Sequence, residues 1–265
     1  MILRCLVLLA TFVVQLAWGS EQVVVVPTRD GVTTAYLLAS TDAPPRFVLV
    51  SFIGASGAIR LAERASAGEV RFGPTANFLI RARVQFVDQD FADAIVDAPS
   101  DQLPGGMSDA FRSSPAHLAD VRAVIADLRK RFPDAKVVLV GTSRGSISAA
   151  SLGAALGNAI DGVILSSTVT RADKNGPGLS DFDFATVKGR VLVVHHVDDA
   201  CRLSPYAGAQ ELAKRFPLIS VHGGDPPRSG PCDAASPHGY LGVEGPTVAA
   251  IKAWVQGRDY PRQVP

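Results

Sequence analysis

Long apolar runs are absent from this 265-residue sequence after residue 20, and cysteine is scarce. Without an apolar run of about 20 residues, that part of the chain predicts no membrane-spanning helix. The chain also has no excess of either charge, because 26 lysine and arginine residues are balanced by 25 aspartate and glutamate residues. This balance gives no electrostatic reason to expect nucleic acid or an anionic membrane surface as a partner.

The start of the chain differs from the rest. Arg4 lies in a short basic segment, and residues 6–16 form an apolar run with only two polar interruptions. Ala17-Trp18-Gly19 has small residues at the two positions that a signal peptidase recognises, which predicts that residues 1–19 are a cleaved secretory signal peptide. The expected location is the periplasm or the extracellular space, without stable membrane insertion after cleavage. The alternative is an uncleaved anchor, for which the run is short.

Cleavage would also remove one of the three cysteines, Cys5. Cys201 and Cys232 remain, and an even pair in an oxidising compartment predicts a disulfide. It would close a loop of about 30 residues, which contributes about 3–4 kcal/mol in the chain-entropy model. Two unrelated buried thiols are the alternative. A zinc site is not expected, because neither cysteine belongs to a CxxC pair.

Apolar runs alternate with helical patterns along the rest of the chain. Strands are predicted at residues 22–27, 34–40, 47–53, 94–96, 136–140, 162–165, 191–195 and 218–221. Helices are predicted at residues 77–89, 116–131, 144–156, 205–216 and 247–256. Several strands are unbroken apolar runs, which is typical of a mostly parallel sheet covered by helices on both faces. A single α/β domain is therefore expected over residues 20–265.

The sharpest motif is Gly141-Thr142-Ser143-Arg144-Gly145. A GxSxG sequence alone is a weak signal. Here it lies between a predicted buried strand and a helix rich in small residues, which is the strand–turn–helix setting of a nucleophile elbow. Ser143 is therefore predicted to be a nucleophile. The alternative is a serine that only caps the following helix.

A serine hydroxyl needs a general base, and the base needs an orienting acid. After a nucleophile elbow these partners are expected in the order acid, then histidine. Asp198 and Asp199 follow the predicted strand at residues 191–195, and His238 follows the last predicted strand. His222 is the rival base, although it precedes the loop expected to carry one. His195 and His196 lie at the end of a predicted strand and are expected to have packing or loop roles. His117 lies in the first turn of a predicted helix and is expected to be exposed.

These features resemble the α/β-hydrolase superfamily, in particular its small secreted or periplasmic bacterial members. The resemblance covers most of the mature chain and depends on residues 54–57, 97–99, 141–145, 195–199 and 232–240. It implies the α/β-hydrolase fold, with a mostly parallel central sheet, helices on both faces and a minimal lid. It also favours Asp199 over Asp198, because the family pattern places the acid four residues after a histidine such as His195.

An oxyanion hole needs two backbone N–H donors. One is expected from Arg144, which follows the nucleophile, and the resemblance implies the other from Ala55. This loop departs from the His-Gly pattern common in lipases and esterases, since Phe52-Ile53 stands where the histidine would. The Arg144 side chain is expected either to pair with a nearby carboxylate or to bind an anionic group of the substrate.

The expected function is hydrolysis of small-molecule carboxylic esters through an acyl-enzyme, with the triad Ser143, His238 and Asp199. No metal and no cofactor are expected. Residues 168–188 are short for an elaborate lid, which favours small or exposed esters. An amidase or peptidase with the same triad and a non-catalytic binding protein of the same fold are the alternatives. A bridge between Cys201 and Cys232 would tie the acid loop to the base loop.

Overall fold

A nine-stranded sheet forms the centre of the computed structural model, which describes residues 20–68, 71–73 and 75–265. The predicted signal peptide lies outside the described residues. The strands are β1 (Ser20–Arg29), β2 (Val32–Ser40), β3 (Phe47–Phe52), β4 (Phe91–Val96), β5 (Lys136–Thr142), β6 (Gly162–Ser166), β7 (Arg190–His196), β8 (Leu218–Val221) and β9 (Gln263–Val264). The helices are α1 (Leu61–Ser66), α2 (Phe78–Phe86), α3 (Asp109–Arg112), α4 (Pro115–Arg131), α5 (Gly145–Leu156), α6 (Tyr206–Leu212) and α7 (Glu244–Val255).

The strands lie in the order β1-β2-β4-β3-β5-β6-β7-β8-β9. β1 pairs antiparallel with β2, and β2 antiparallel with β4, whereas the pairs from β4 to β9 are parallel. The carboxyl ends of the parallel strands therefore meet at one edge, where a ligand site is expected in this architecture. The predicted fold class is confirmed.

Two apolar cores cover the two faces of the sheet, and side chains of β3 enter them alternately. Phe47 and Leu49 belong to the core that α2 and α7 close, whereas Val48, Val50 and Phe52 belong to the core that α4, α5 and α6 close. Every residue of β3 is buried. Burial on both faces explains why this strand appears in the sequence as an apolar run in which Ser51 is the one polar residue.

Helix α4 begins where the sequence predicts, because the Ser114 side chain accepts the N–H of His117 and Pro115 takes the first helical position. The expectation that His117 is exposed is wrong. Its ring is 1% exposed and lies 5.9 Å from the ring of Phe52 and 5.6 Å from that of Phe111. Burial lowers the pKa of His117 to about 3, so this histidine is neutral.

Several short elements differ from the predicted pattern. Helix α6 ends at Leu212, four residues before its predicted end, and β4 begins at Phe91 instead of residue 94. α1, α3 and β9 were not predicted, because elements of two to six residues carry too little periodicity. Residues 168–188 contain one helical turn, Phe184–Thr186, in agreement with a minimal lid. No helix in the described part of the chain is long and apolar enough to cross a membrane.

Candidate active site

Ser143 occupies the sharp turn between β5 and α5, where its φ of 56° lies in the left-handed region. This conformation costs a residue with a Cβ about 1–2 kcal/mol, so the surroundings must hold it. The Ser143 N–H donates to the carbonyl of Ser166 at 3.0 Å. The Ser143 carbonyl accepts the hydroxyl of Ser146 at 2.6 Å. Ser143 is therefore held as an elbow and is not the N-cap of α5, which is Arg144.

Three glycines allow this elbow to pack against the sheet. A Cβ at Gly145 would overlap the carbonyl of Phe52, and a Cβ at Gly141 would overlap the carbonyl of Gly145. A Cβ at Gly54 would lie 2.6 Å from the Cβ of Ser143. The first turn of α5 thus lies directly against the end of β3, which brings Ser143 to the loop that begins at Gly54.

The loop after β7 and the loop after β8 meet through a buried contact between Asp199 and His238. His238 Nδ1 lies 2.8 Å from Asp199 Oδ2, and the N–H of Cys201 donates to Asp199 Oδ1 at 2.9 Å. Asp198 is exposed, and its N–H donates to the ring of His196. Of the two adjacent aspartates, the structure therefore brings Asp199 against His238 and leaves Asp198 in solvent.

A second histidine contacts the same carboxylate. His195 Nε2 lies 3.2 Å from Asp199 Oδ2 and 2.9 Å from the carbonyl of Ser204. The Ser204 hydroxyl donates to Asp199 Oδ2 at 3.2 Å and lies 3.1 Å from His238 Nδ1. Burial alone would raise the pKa of Asp199, but the hydrogen bonds from His195 and His238 outweigh it and lower the pKa to about 2. The carboxylate is therefore ionised near neutral pH.

Ser143 and His238 line one cavity of about 450 Å³. They are not hydrogen-bonded to each other, and His238 Nε2 is buried with no partner among the residues that the structure describes. Such contacts are often long without substrate. The other residues that line the cavity are Ile53, Gly54, Ala55, Ser56, Ala58, Thr75, Asn77, Phe78, Ile80, Thr142, Ser229, Cys232, Asp233, Ala234, Ala235 and Gly239. The rival base, His222, does not line it, and its N–H pairs with β9.

Of the two residues expected to form the oxyanion hole, Arg144 directly follows Ser143 but is not among the residues that line the cavity, whereas Ala55 follows Gly54, which packs against Ser143. Ala55 lines the cavity with a left-handed backbone, φ 49°. Neither the Ala55 nor the Arg144 N–H donates a hydrogen bond to a backbone carbonyl of another described residue. The Arg144 side chain pairs with Asp109 and, at 2.6 Å, with Asp173, which is the carboxylate pairing expected as one of two alternatives. Both N–H groups are therefore available to an acceptor.

The predicted disulfide is present between Cys201 and Cys232. Cys201 follows Asp199 by two residues and donates its N–H to that carboxylate. Cys232 lines the cavity. The bridge therefore joins the loop of Asp199 to the wall of the cavity that Ser143 faces.

Tyr240 supports the loop of His238 and was not predicted. Its side chain is fully buried, and its hydroxyl donates to the carbonyl of Val194 at 2.9 Å. The same hydroxyl accepts the N–H of Ser167, whose own hydroxyl donates to the carbonyl of His238 at 2.8 Å. Burial raises the pKa of Tyr240 to about 12, so the phenol stays protonated. Proximity to His238 in the sequence was the only signal for this role.

Solved structures show what this architecture is similar to. Est1E from Butyrivibrio proteoclasticus has a TM-score of 0.57 and 13% identity over 89% of this chain and 98% of that one. XC6422 from Xanthomonas campestris, described as an α/β serine hydrolase without a lid, has a TM-score of 0.55 and 13% identity over 88% of this chain and 94% of that one. The chain has the α/β-hydrolase fold.

Further comparisons agree with this fold. A dienelactone hydrolase from Anabaena variabilis has a TM-score of 0.52 and 13% identity over 90% of this chain and 96% of that one. A family model described as serine aminopeptidase, S33, matches residues 101–224. No curated protein matches. The structural likenesses show the fold, and together with the family model they support a hydrolase.

Proposed function

We propose that this α/β-hydrolase is a serine esterase that cleaves carboxylic esters of small molecules through an acyl-enzyme. The observation that carries the proposal is the 2.8 Å contact between His238 Nδ1 and Asp199 Oδ2, beside a cavity that Ser143 also lines. The contact leaves His238 Nε2 as the ring nitrogen that can accept the Ser143 proton. An ionised Asp199 fixes this tautomer and stabilises the imidazolium that forms.

The reaction follows from these positions. Ser143 Oγ attacks the acyl carbonyl carbon while His238 Nε2 takes the hydroxyl proton, and the N–H groups of Ala55 and Arg144 bind the resulting oxyanion. Collapse of this intermediate releases the alcohol, which receives the proton from His238. Water then attacks the acyl-enzyme with His238 as base again, and the acid leaves as Ser143 is restored.

The cavity favours small esters over long acyl chains. Its volume of about 450 Å³ is at the small end of the range for ligand sites. Apolar side chains such as Ile53, Phe78 and Ile80 line it beside polar ones such as Asn77. A series of p-nitrophenyl esters should therefore give the highest kcat/KM with short acyl groups, and a rise toward long chains would contradict this substrate class.

The decisive test of the proposed function is covalent labelling of the serine. A fluorophosphonate probe should label the wild type, and Ser143→Ala should remain unlabelled and lose ester hydrolysis. Ser180→Ala is the matched control, because Ser180 is exposed and its hydroxyl donates only to the nearby carbonyl of Pro177. Labelling that persists in Ser143→Ala would contradict the assignment.

A peptidase is the second candidate, and the description of the matching family model is the observation that favours it. Both activities use the same nucleophile, base and oxyanion donors. Aminoacyl p-nitroanilides compared with p-nitrophenyl esters of the same acyl group separate the two. A greater kcat/KM for the anilide than for the matched ester would favour the peptidase.

We also propose that residues 1–19 direct export to the periplasm or the extracellular space. The disulfide between Cys201 and Cys232 supports this, because such bonds persist in oxidising compartments. Mass spectrometry of the protein from fractionated cells should find a mature chain that begins at Ser20. A chain that retains residues 1–19 would contradict cleavage.

A further inference from the structure

Arg112 is among the largest side chains that are completely buried in the described part of the chain, at 0% exposure. Its Nη2 donates to the carbonyl of Ala55 at 3.1 Å, and its Nη1 donates to the hydroxyl of Ser148 at 3.1 Å. Both acceptors are neutral, although a fully buried arginine is normally paired with a carboxylate. Burial lowers the pKa of Arg112 to about 10 against the opposing field of Asp109, so the side chain stays charged near neutral pH.

The carbonyl that Arg112 binds belongs to a strained turn. Ala55 has a φ of 49° despite its Cβ, which costs about 1–2 kcal/mol. The turn closes through the N–H of Gly57, which donates to the carbonyl of Gly54 at 3.0 Å. A Cβ at Gly57 would overlap the Met107 side chain and lie 2.8 Å from Arg112 Nη2, so Met107 and the guanidinium together fill the space beneath the turn. Arg112 therefore holds Ala55 in the conformation that leaves its N–H free.

Asp109 lies on the same helical turn, three residues before Arg112, and is 3% exposed. Its carboxylate pairs with the Arg144 guanidinium and accepts the N–H of Gly178 at 3.0 Å. Arg144 directly follows Ser143, and its second partner is Asp173. Two arginines and two aspartates thus form a charge-balanced cluster behind the elbow, and this cluster fixes the side chain of the residue that carries the second free N–H.

We propose that α3 positions both donors of the oxyanion hole, with Arg112 fixing Ala55 and Asp109 fixing Arg144. The inference depends on the proposed function, since it concerns the same site. Residues three apart on one helical turn lie on the same side, so a single helical turn contacts both the Ala55 carbonyl and the Arg144 side chain. Arg112 and Asp109 are positioning residues in this scheme, because they act through Ala55 and Arg144 without touching the substrate.

Matched oxygen and sulfur substrates test the positioning role. A p-nitrophenyl ester and its thiono analogue differ only in C=O against C=S, and sulfur is larger and accepts hydrogen bonds poorly. An ordered oxyanion hole should therefore favour the ester. Loss of a whole donor lowers kcat by about 100-fold or more. Misplacement in Arg112→Met should then lower kcat for the ester by about 10-fold to 100-fold, with KM within about threefold.

In Arg112→Met the preference for the ester, measured as the ratio of kcat for the ester to kcat for the thionoester, should fall by about the same factor as kcat for the ester. Arg112→Lys, which keeps the charge but carries its N–H donors on a single nitrogen, should recover part of kcat and part of the preference for the ester. Asp109→Asn, which weakens the Arg144 side and leaves the Arg112 contacts in place, should narrow the preference as well. If Arg112→Met does not fold, the kcat values and ester preferences of Arg112→Lys and Asp109→Asn test the proposal.

Tyr36→Phe is the control for lost stability. It removes a 2.6 Å hydrogen bond to Asp127 outside the cavity lining and should lower Tm without changing kcat or the preference. The inference is overturned if the Arg112 and Asp109 variants lower Tm but keep the wild-type kcat and preference. A wild type without Ser143-dependent ester hydrolysis would overturn the proposed function, and this inference with it.

Discussion

A buried carboxyl group in the sheet should make the protein less stable as the pH rises. Asp93 lies on β4 at 0% exposure, and its Oδ1 accepts the hydroxyl of Ser51 at 2.6 Å. Its Oδ2 has no hydrogen-bond partner within the described ranges. Burial raises the pKa of Asp93 from 3.8 to about 7, against the lowering effect of the Ser51 hydrogen bond. The folded protein therefore keeps this proton over a range in which the unfolded chain releases it.

The sign follows from proton binding. Between pH 4 and pH 7 the folded state holds more protons at Asp93 than the unfolded state, so the free energy of unfolding falls as the pH rises. The contribution is constant below pH 4 and above pH 7. A pKa shift of about three units corresponds to about 4 kcal/mol, which is an upper bound for the loss.

Asp93→Asn removes this titration and keeps the shape of the side chain. We expect the free energy of unfolding of the variant, relative to wild type, to rise by up to about 4 kcal/mol between pH 4 and pH 8. Urea denaturation at several pH values measures this change, and the variant comparison cancels the other titrating groups. Asp134→Asn is the control, since Asp134 is exposed. Parallel curves for Asp93→Asn and wild type would refute the reasoning.

Three further predictions concern the site. Cys201→Ser should lower Tm, with a loss of about 2–5 kcal/mol in stability, and should lower kcat because the bridge joins the acid loop to the cavity wall; an unchanged Tm would contradict this. Gly145→Ala should destabilise the fold by about 2 kcal/mol or more, because the added Cβ would overlap the Phe52 carbonyl at the end of β3. Gly73→Ala is the control, because Gly73 faces open space, and thermal unfolding should show no loss of stability for it. Asp199→Asn should lower kcat by about 10⁴-fold at neutral pH, whereas Asp198→Asn should keep wild-type kinetics.

Sequence patterns were sufficient to predict an element where it contains a long apolar run or carries its own capping residue. β3, β5 and β7 each contain a run of at least four consecutive apolar residues, and α4 carries its own N-cap, so their positions could be predicted within a few residues. Helix α3 was missed because four residues make a single turn without a repeating pattern. His117 was misjudged because a first helical turn is often exposed, whereas here it packs against the end of β3.

Candidate site residues divide in the same way. The order of the elbow, the acid and the histidine along the chain was sufficient to nominate Ser143, the adjacent pair Asp198 and Asp199, and His238, and the family resemblance then favoured Asp199. The contacts of His195 and Arg112 could not be predicted, because each depends on how elements distant in sequence pack together. Arginine is mostly exposed in proteins, so nothing in the sequence indicates that Arg112 is buried.

Backbone strain is concentrated at the edge where these elements meet. Five described residues other than glycine have a positive φ, and four of them, Ala55, Ser143, Ser167 and Tyr240, lie at or beside the cavity. At about 1–2 kcal/mol each, together they oppose folding by an amount comparable with the net stability of a domain. The fold must therefore offset this strain locally, and the hydrogen bonds from Arg112 to Ala55 and between Ser167 and Tyr240 are placed to do so. The buried polar groups beneath the cavity are thus required by the geometry of the site as well as by its chemistry.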